Sequence, residues 1–136
     1  PLLVGPVGTA AALKLALNQL IASMTTAFAL SVGFAQRQGV SVDLFMYILR
    51  QSALYAPTFD KKLQRMLDSN YANPNFSTKH LMKDIDLFID EAKSTSLNLS
   101  GVEGVRDIID TAMKMSLSDA DYSSIFSAIN SSTDGA

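Results

Sequence analysis

A single amine stands at the edge of a long uncharged run in this 136-residue sequence. No charged side chain follows Lys14 from Leu15 to Gln36, and Asn18 lies four residues on, so amine and amide share one helical face. An ammonium beside apolar surroundings can have its pKa drawn toward neutrality, which suits proton donation to an anionic or carbonyl substrate. Taken alone, Lys14 also reads as a helix-end lysine with its stem packed and its head in water. Gly5 and Gly8, spaced Gly-x-x-Gly, precede the segment that carries both residues.

That segment has to be a helix. Pro1 to Val4 reads as a short extended piece closed by a turn at Gly5-Pro6, after which Thr9 is a plausible N-cap. Leu13, Leu17, Leu20, Met24, Phe28 and Ala35 recur at near three and four spacings and mark an apolar stripe, with alanines covering much of the remaining surface. Unbroken to Gln38, such a helix is roughly 45 Å long, more than a domain of this size needs internally. It reads as a spine shared with another domain or subunit. Gly39 supplies its C-cap.

Five further helices are expected. Ser41 and Asp43 start the second, with Val42, Phe45, Met46 and Leu49 inward, and Pro57 ends it. Thr58 caps a third from Phe59 to about Asp68, followed by a turn-rich loop over Ser69 to Asn75. A fourth runs from Ser77 or Thr78 to about Ser94 with Leu81, Ile85, Phe88, Ile89 and Ala92 on one face, and a fifth starts at Ser100 with Val102, Val105, Ile108, Ile109, Ala112 and Met115 inward. Asp119 or Asp121 begins a last short one, and from Ser131 the tail reads as disordered. The fold class is therefore all-α, one helical domain over residues 1–130, six helices around one long N-terminal helix.

Composition narrows the function. With 48% hydrophobic and 18% charged residues the chain folds, and its length suits one domain. A net charge of −2 leaves no footprint for nucleic acid. The absence of cysteine and the single histidine, His80, exclude thiolate chemistry and a multi-histidine metal site, so no metal is expected. Charge is sparse up to Pro57, where only Lys14, Arg37, Asp43 and Arg50 carry it. The polar residues Asn18, Gln19, Ser23, Thr25 and Thr26 argue against a lipid-facing span, and no cationic region precedes the apolar run as in a signal peptide. A cytoplasmic setting without membrane contact is expected. Because the sequence has no initiating Met, it reads as a piece of something longer.

Three blocks in order then carry a family resemblance: Gly5, Gly8, Ala10, Lys14 and Asn18; Phe76 seven residues before the pair Lys83-Asp84 in FSTKHLMKD; and Asp121-Tyr122-Ser123 near the end. The chain resembles the C-terminal all-helical domain of the β-hydroxyacid dehydrogenases, the 3-hydroxyisobutyrate dehydrogenase and glyoxylate/succinic semialdehyde reductase group within the 6-phosphogluconate dehydrogenase superfamily. The resemblance implies hydride transfer between NADP or NAD and a small carboxylated aldehyde or 3-hydroxy acid. It makes Lys14 the general acid, Asn18 and Gly8 substrate-binding, and Phe76 a wall of the pocket. Asp84 would help fix the substrate site and Lys83 would reach the cofactor near its nicotinamide end. The Lys79-His80 pair is more like the glyoxylate and succinic semialdehyde reductases than the hydroxyisobutyrate enzymes.

Two positions depart from the family pattern. Ala10 replaces a third glycine, and Leu17 stands where many relatives have an asparagine. The family's dinucleotide-binding domain is not in this sequence, so the fragment alone is expected to be inactive, and a homodimer or tetramer is expected from its sparsely charged first half. The alternative is a non-catalytic helical interaction or dimerisation module. Imine reductases are disfavoured, because they generally lack a lysine at the position of Lys14.

Overall fold

The computed structural model describes residues 8–131. Within them six α-helices and two short 3-10 turns follow one another: α1 Thr9–Arg37, α2 Val42–Arg50, α3 Pro57–Asp68, α4 Thr78–Ala92, α5 Ser100–Lys114 and α6 Ile125–Asn130, with 3-10 turns at Lys93–Thr95 and Tyr122–Ser124. No strand occurs among the described residues. The all-α expectation holds. Gly5, the run Pro1 to Val4 and the tail after Ser131 lie outside the described residues.

The long helix is as expected, and its ends explain why. Gly8 is the N-cap at φ 98°, a left-handed conformation that glycine adopts without strain, so the cap is Gly8 rather than Thr9 and no side chain closes it. At the other end Gly39 sits at φ 79° while the Val40 N–H donates to Ala35 O at 2.9 Å and the Gly39 N–H to Gln36 O at 3.1 Å. Those two bonds form a Schellman motif that stops the helix at Arg37.

The buried face of α1 differs from the expected stripe. Leu13, Leu17 and Leu20 are about half exposed, and the face that packs is Ala22, Thr25, Phe28, Ala29, Val32 and Gly33 with Ala35. The reason is steric. Small side chains let α4 and α6 approach the α1 axis closely, and at Gly33 the Asn130 side chain of α6 occupies the space a Cβ would need. The large leucines are thereby turned outward. By length and composition α1 could also cross a membrane; in this fold its C-terminal half is the central helix of the core.

Two apolar clusters share α1. Ala22 joins Leu81, Ile85 and Ile89 of α4, Ile109 of α5 and Ile125 of α6, the inward stripes expected for those helices. Further along, Phe28, Ala29 and Val32 meet Met46 of α2, Met66 of α3 and Phe126 of α6, with the Phe28 and Phe59 rings stacked at 4.5 Å. Ser41 caps α2 as expected, accepting from the Leu44 N–H at 3.0 Å. Pro57 does something else than expected. Helix α2 already stops at Arg50, and Pro57 opens α3 at its first position, with Ala56 rather than Thr58 as the N-cap. A first-turn proline forgoes an N–H that has no helical partner anyway. Between the two helices Asp60 accepts from Arg50 at 2.6 and 3.0 Å and from the Tyr55 hydroxyl, and the Arg50 guanidinium holds its carboxyl at about 2.

The chain end is tied back by a buried polar knot. Asp121 is fully buried; both its oxygens accept from Lys62 Nζ at 3.0 Å, and Oδ2 also accepts from the Ser123 N–H at 3.0 Å and hydroxyl at 2.5 Å. Around it the Thr78 N–H donates to Ala120 O at 2.8 Å, the Asp121 N–H to Tyr71 O at 2.8 Å and the Tyr122 N–H to Phe76 O at 3.1 Å. Burial pushes the Asp121 carboxyl up, but Ser123 and the Lys62 ammonium outweigh it and hold the group below the usual carboxylate range.

Removing one partner of such a pair leaves a buried charge alone. Asp121→Asn should cost about 3–5 kcal/mol in urea denaturation at pH 7. Since the folded pKa of Asp121 lies below its unfolded value, its stabilisation is complete above the unfolded value of about 4 and is lost as pH falls through the folded one. The stability gap between native chain and variant should therefore narrow below about pH 4, and a gap independent of pH would count against the ion pair.

Candidate functional site

Helix α4 is capped by Ser77, whose hydroxyl accepts from the His80 N–H at 3.3 Å and sits 2.8 Å from His80 Nδ1. That cap sets the phase of the helix. It turns Leu81, Ile85 and Ile89 into the core and brings Asp84, 6% exposed, against α1. There Asp84 Oδ2 accepts from the Asn18 amide at 2.6 Å and lies 3.7 Å from Lys14 Nζ. One carboxylate oxygen thus meets two side chains that stand one turn apart on α1.

The arrangement fixes an orientation. An ionised carboxylate only accepts, so the Asn18 nitrogen must face Asp84, and the amide carbonyl together with the second N–H remains for a ligand. Lys14 is held more loosely. Its side chain is 66% exposed and its nearest charge is a carboxylate, so these residues do not supply the apolar enclosure the sequence suggested. At that exposure the ion pair contributes little to stability and acts by placing the amine.

Asn18 also forms part of an open cleft of ≈ 790 Å³ between α1 and α3. Ile21 continues the α1 wall, Lys61, Lys62 and Arg65 form the opposite one, and Phe76 and Tyr122 lie between. Phe76 meets Tyr122 edge-on at 6.1 Å and stacks on His80 at 6.4 Å, so the aromatic expected to wall a pocket does line this cleft. The Tyr122 phenol is raised by burial, and the Lys62 amine sits 4.5 Å over its ring centroid.

The other sequence candidates are dispersed. Lys83 is exposed on α4 beside Asp84 in sequence and, among the described residues, takes part in no ion pair. Gly8 caps α1 and lines a separate apolar groove with Ala11, Leu15 and Phe88, about 15 Å along the helix from Asn18. Asp121 is the helix cap anticipated from its sequence context, and His80 is satisfied by Ser77. Among the described residues no group of three or more His, Cys, Asp or Glu could hold a metal.

Sequence reading passed over Lys61, Lys62 and Arg65. Their spacing does place Lys61 and Arg65 on one face, a signal that was available. The partner that buries Lys62 is 59 residues away and was not.

The family described as the NAD-binding domain of NADP-dependent 3-hydroxyisobutyrate dehydrogenase matches residues 8–129. Glyoxylate/succinic semialdehyde reductases 2 (chloroplastic) and 1 of Arabidopsis thaliana are each 30% identical over 125 residues, which is 92% of this chain but 35% and 43% of theirs. The cytokine-like nuclear factor N-PAC of Xenopus tropicalis is 30% identical over 91% of the chain and 23% of its own length. In fold, a 3-hydroxyisobutyrate dehydrogenase from Salmonella typhimurium superposes with a TM-score of 0.75 at 21% identity, over 84% of this chain and 40% of that one. The chain thus spans less than half the length of these relatives. With a family match over nearly all its length, the all-helical chain belongs to the 3-hydroxyisobutyrate dehydrogenase-like family.

Proposed function

We propose that this chain is the substrate-binding and oligomerisation domain of an NAD(P)-dependent reductase that interconverts a small 3-hydroxy acid and its semialdehyde, or reduces glyoxylate or succinic semialdehyde. The carrying observation is the meeting of Lys14 and Asn18 at Oδ2 of the buried Asp84, beside the cleft. Asn18 binds the oxygen at the reacting carbon and Asp84 holds its amide in register. Lys14 delivers the proton as the carbonyl becomes an alkoxide and takes it back in the reverse direction. Positioning both on one rigid helix, one turn apart, favours a reactive alignment.

A nicotinamide cofactor supplies the hydride. The described residues suit a minor share in holding it: Lys83 offers an exposed cation next to Asp84, while the cleft has no glycine-rich turn for a pyrophosphate. A dinucleotide-binding domain would hold the rest and, closing over α1, would enclose the exposed Lys14 amine. The face of Leu13, Leu17 and Leu20 is the seam to that domain and to a second subunit.

A non-catalytic helical module is the second reading, favoured by the similarity to N-PAC, which is named as a nuclear factor. Lys14 separates the two. In the protein that joins this domain to its dinucleotide-binding partner, Lys14→Ala should lower kcat for glyoxylate or succinic semialdehyde by about a hundredfold or more with the fold unchanged by circular dichroism. Unchanged activity would remove the mechanism. Asn18→Asp, which sets a second carboxylate where a 2.6 Å hydrogen bond now lies, should also lower kcat/KM, by about tenfold or more. For the seam, sedimentation should give a dimer or larger species, and Leu17→Asp with Leu20→Asp should shift it toward monomer; a native protein that is monomeric at high concentration would count against it.

A further inference from the structure

The wall of the cleft opposite Asn18 carries more positive charge than the protein uses. Lys62 is neutralised by Asp121, and that carboxylate is wholly committed to Lys62 and Ser123. Arg65 donates to the backbone carbonyls of Asn70, Ala72 and Asn73 at 3.3, 2.7 and 3.1 Å, neutral acceptors that hold the guanidinium in place without cancelling its charge. Lys61 is exposed, and neither it nor Arg65 is in an ion pair among the described residues. Two uncompensated cations therefore line one concavity of a chain whose net charge is −2.

We propose that this wall is a subsite for the substrate's carboxylate where that group lies distal to the reacting carbonyl, with Lys61 and Arg65 as its cations. The inference rests on the reading above for the reacting end alone. Its chemistry follows from what lines the cleft: a polar amide at Asn18 on α1, charge at Lys61 and Arg65 on α3, and apolar surface at Ile21 and Phe76. That set of groups suits a short chain with an oxygen, methylenes and an anion. A substrate such as glyoxylate, whose carboxylate adjoins its carbonyl, would leave the α3 cations unused. A semialdehyde whose single carboxylate is separated from its carbonyl by methylenes would use both ends. Arg65, pinned by three carbonyls, loses little freedom on binding, and a cation lining a cleft draws anions from solution.

The test separates binding from catalysis. The full chain is titrated calorimetrically with succinate, with uncharged butyramide and with inorganic phosphate, and the titrations are repeated on Lys61→Glu, an exposed substitution whose fold is checked by circular dichroism. Succinate should bind at least about tenfold more tightly than butyramide, and Lys61→Glu should abolish that advantage. Equal affinities for succinate and butyramide, an advantage that survives Lys61→Glu, or tighter binding of phosphate than of succinate would each overturn the proposal. In the complete enzyme, Lys61→Ala should raise KM for succinic semialdehyde about tenfold while leaving its kcat and the glyoxylate parameters in place; equal effects on both substrates would also overturn it. An enzyme inactive toward every aldehyde would remove the catalytic reading, and the succinate titration would still decide this one.

Discussion

The fully buried carboxylate of Asp121 is the constraint on which the cleft depends. Its desolvation is tolerable because Lys62 and Ser123 fill its acceptor positions, and no buried side-chain polar atom among the described residues lacks a partner. The consequences are geometric. Lys62 is drawn from α3 toward the chain end, Tyr122 is placed beneath its amine, and the Ser77–Asp121 bridge fixes where α4 begins. Once that start is set, the phase of α4 presents Asp84 to α1. A structural ion pair at one side of the cleft thereby sets the register of polar groups at the other.

Helix α1 plays two parts that its composition makes compatible. Its C-terminal half is lined with small residues and Phe28, against which α4, α6 and the aromatic contacts from α3 pack closely. Its N-terminal half carries Lys14 and Asn18 and turns three leucines to solvent. Held by the packed half, the projecting half is rigid without being covered. A proton donor on such a segment can be placed accurately at an interface while staying accessible to whatever closes on it. Asp84 is a buried carboxylate of α4 that reaches this half, and it does so through a single oxygen.

Much of the fold was legible. Caps at Ser41, Ser77 and Gly39, the loop around Pro74 and the stripes of α4 and α5 follow from side-chain chemistry that acts within a turn or two, and they are found where that chemistry puts them, except that Met115, expected inward, lies past the last turn of α5 and is exposed. Pro57 was misread because a proline is compatible with the end of one helix and the first residue of the next; the last turn of α2, already closed at Arg50, settles it. The stripe of α1 was misread because leucines and alanines both count as apolar, and periodicity cannot tell which of two apolar faces another helix will choose. Size decides, through how closely the axes approach.

By itself the sequence determined a helical domain, the order and approximate limits of its helices, and the lysine and asparagine that share one face, because these depend on residues within about four positions of each other. Only the tertiary structure decided that Asp84 joins them across 66 residues and that Lys62 and Asp121 form a buried pair across 59. It also decided that Lys14 stands in solvent and that three cations of α3 face Asn18 across one cleft. Those facts depend on which helices lie side by side, and helix neighbours are chosen by the fit of whole surfaces, which no local spacing encodes.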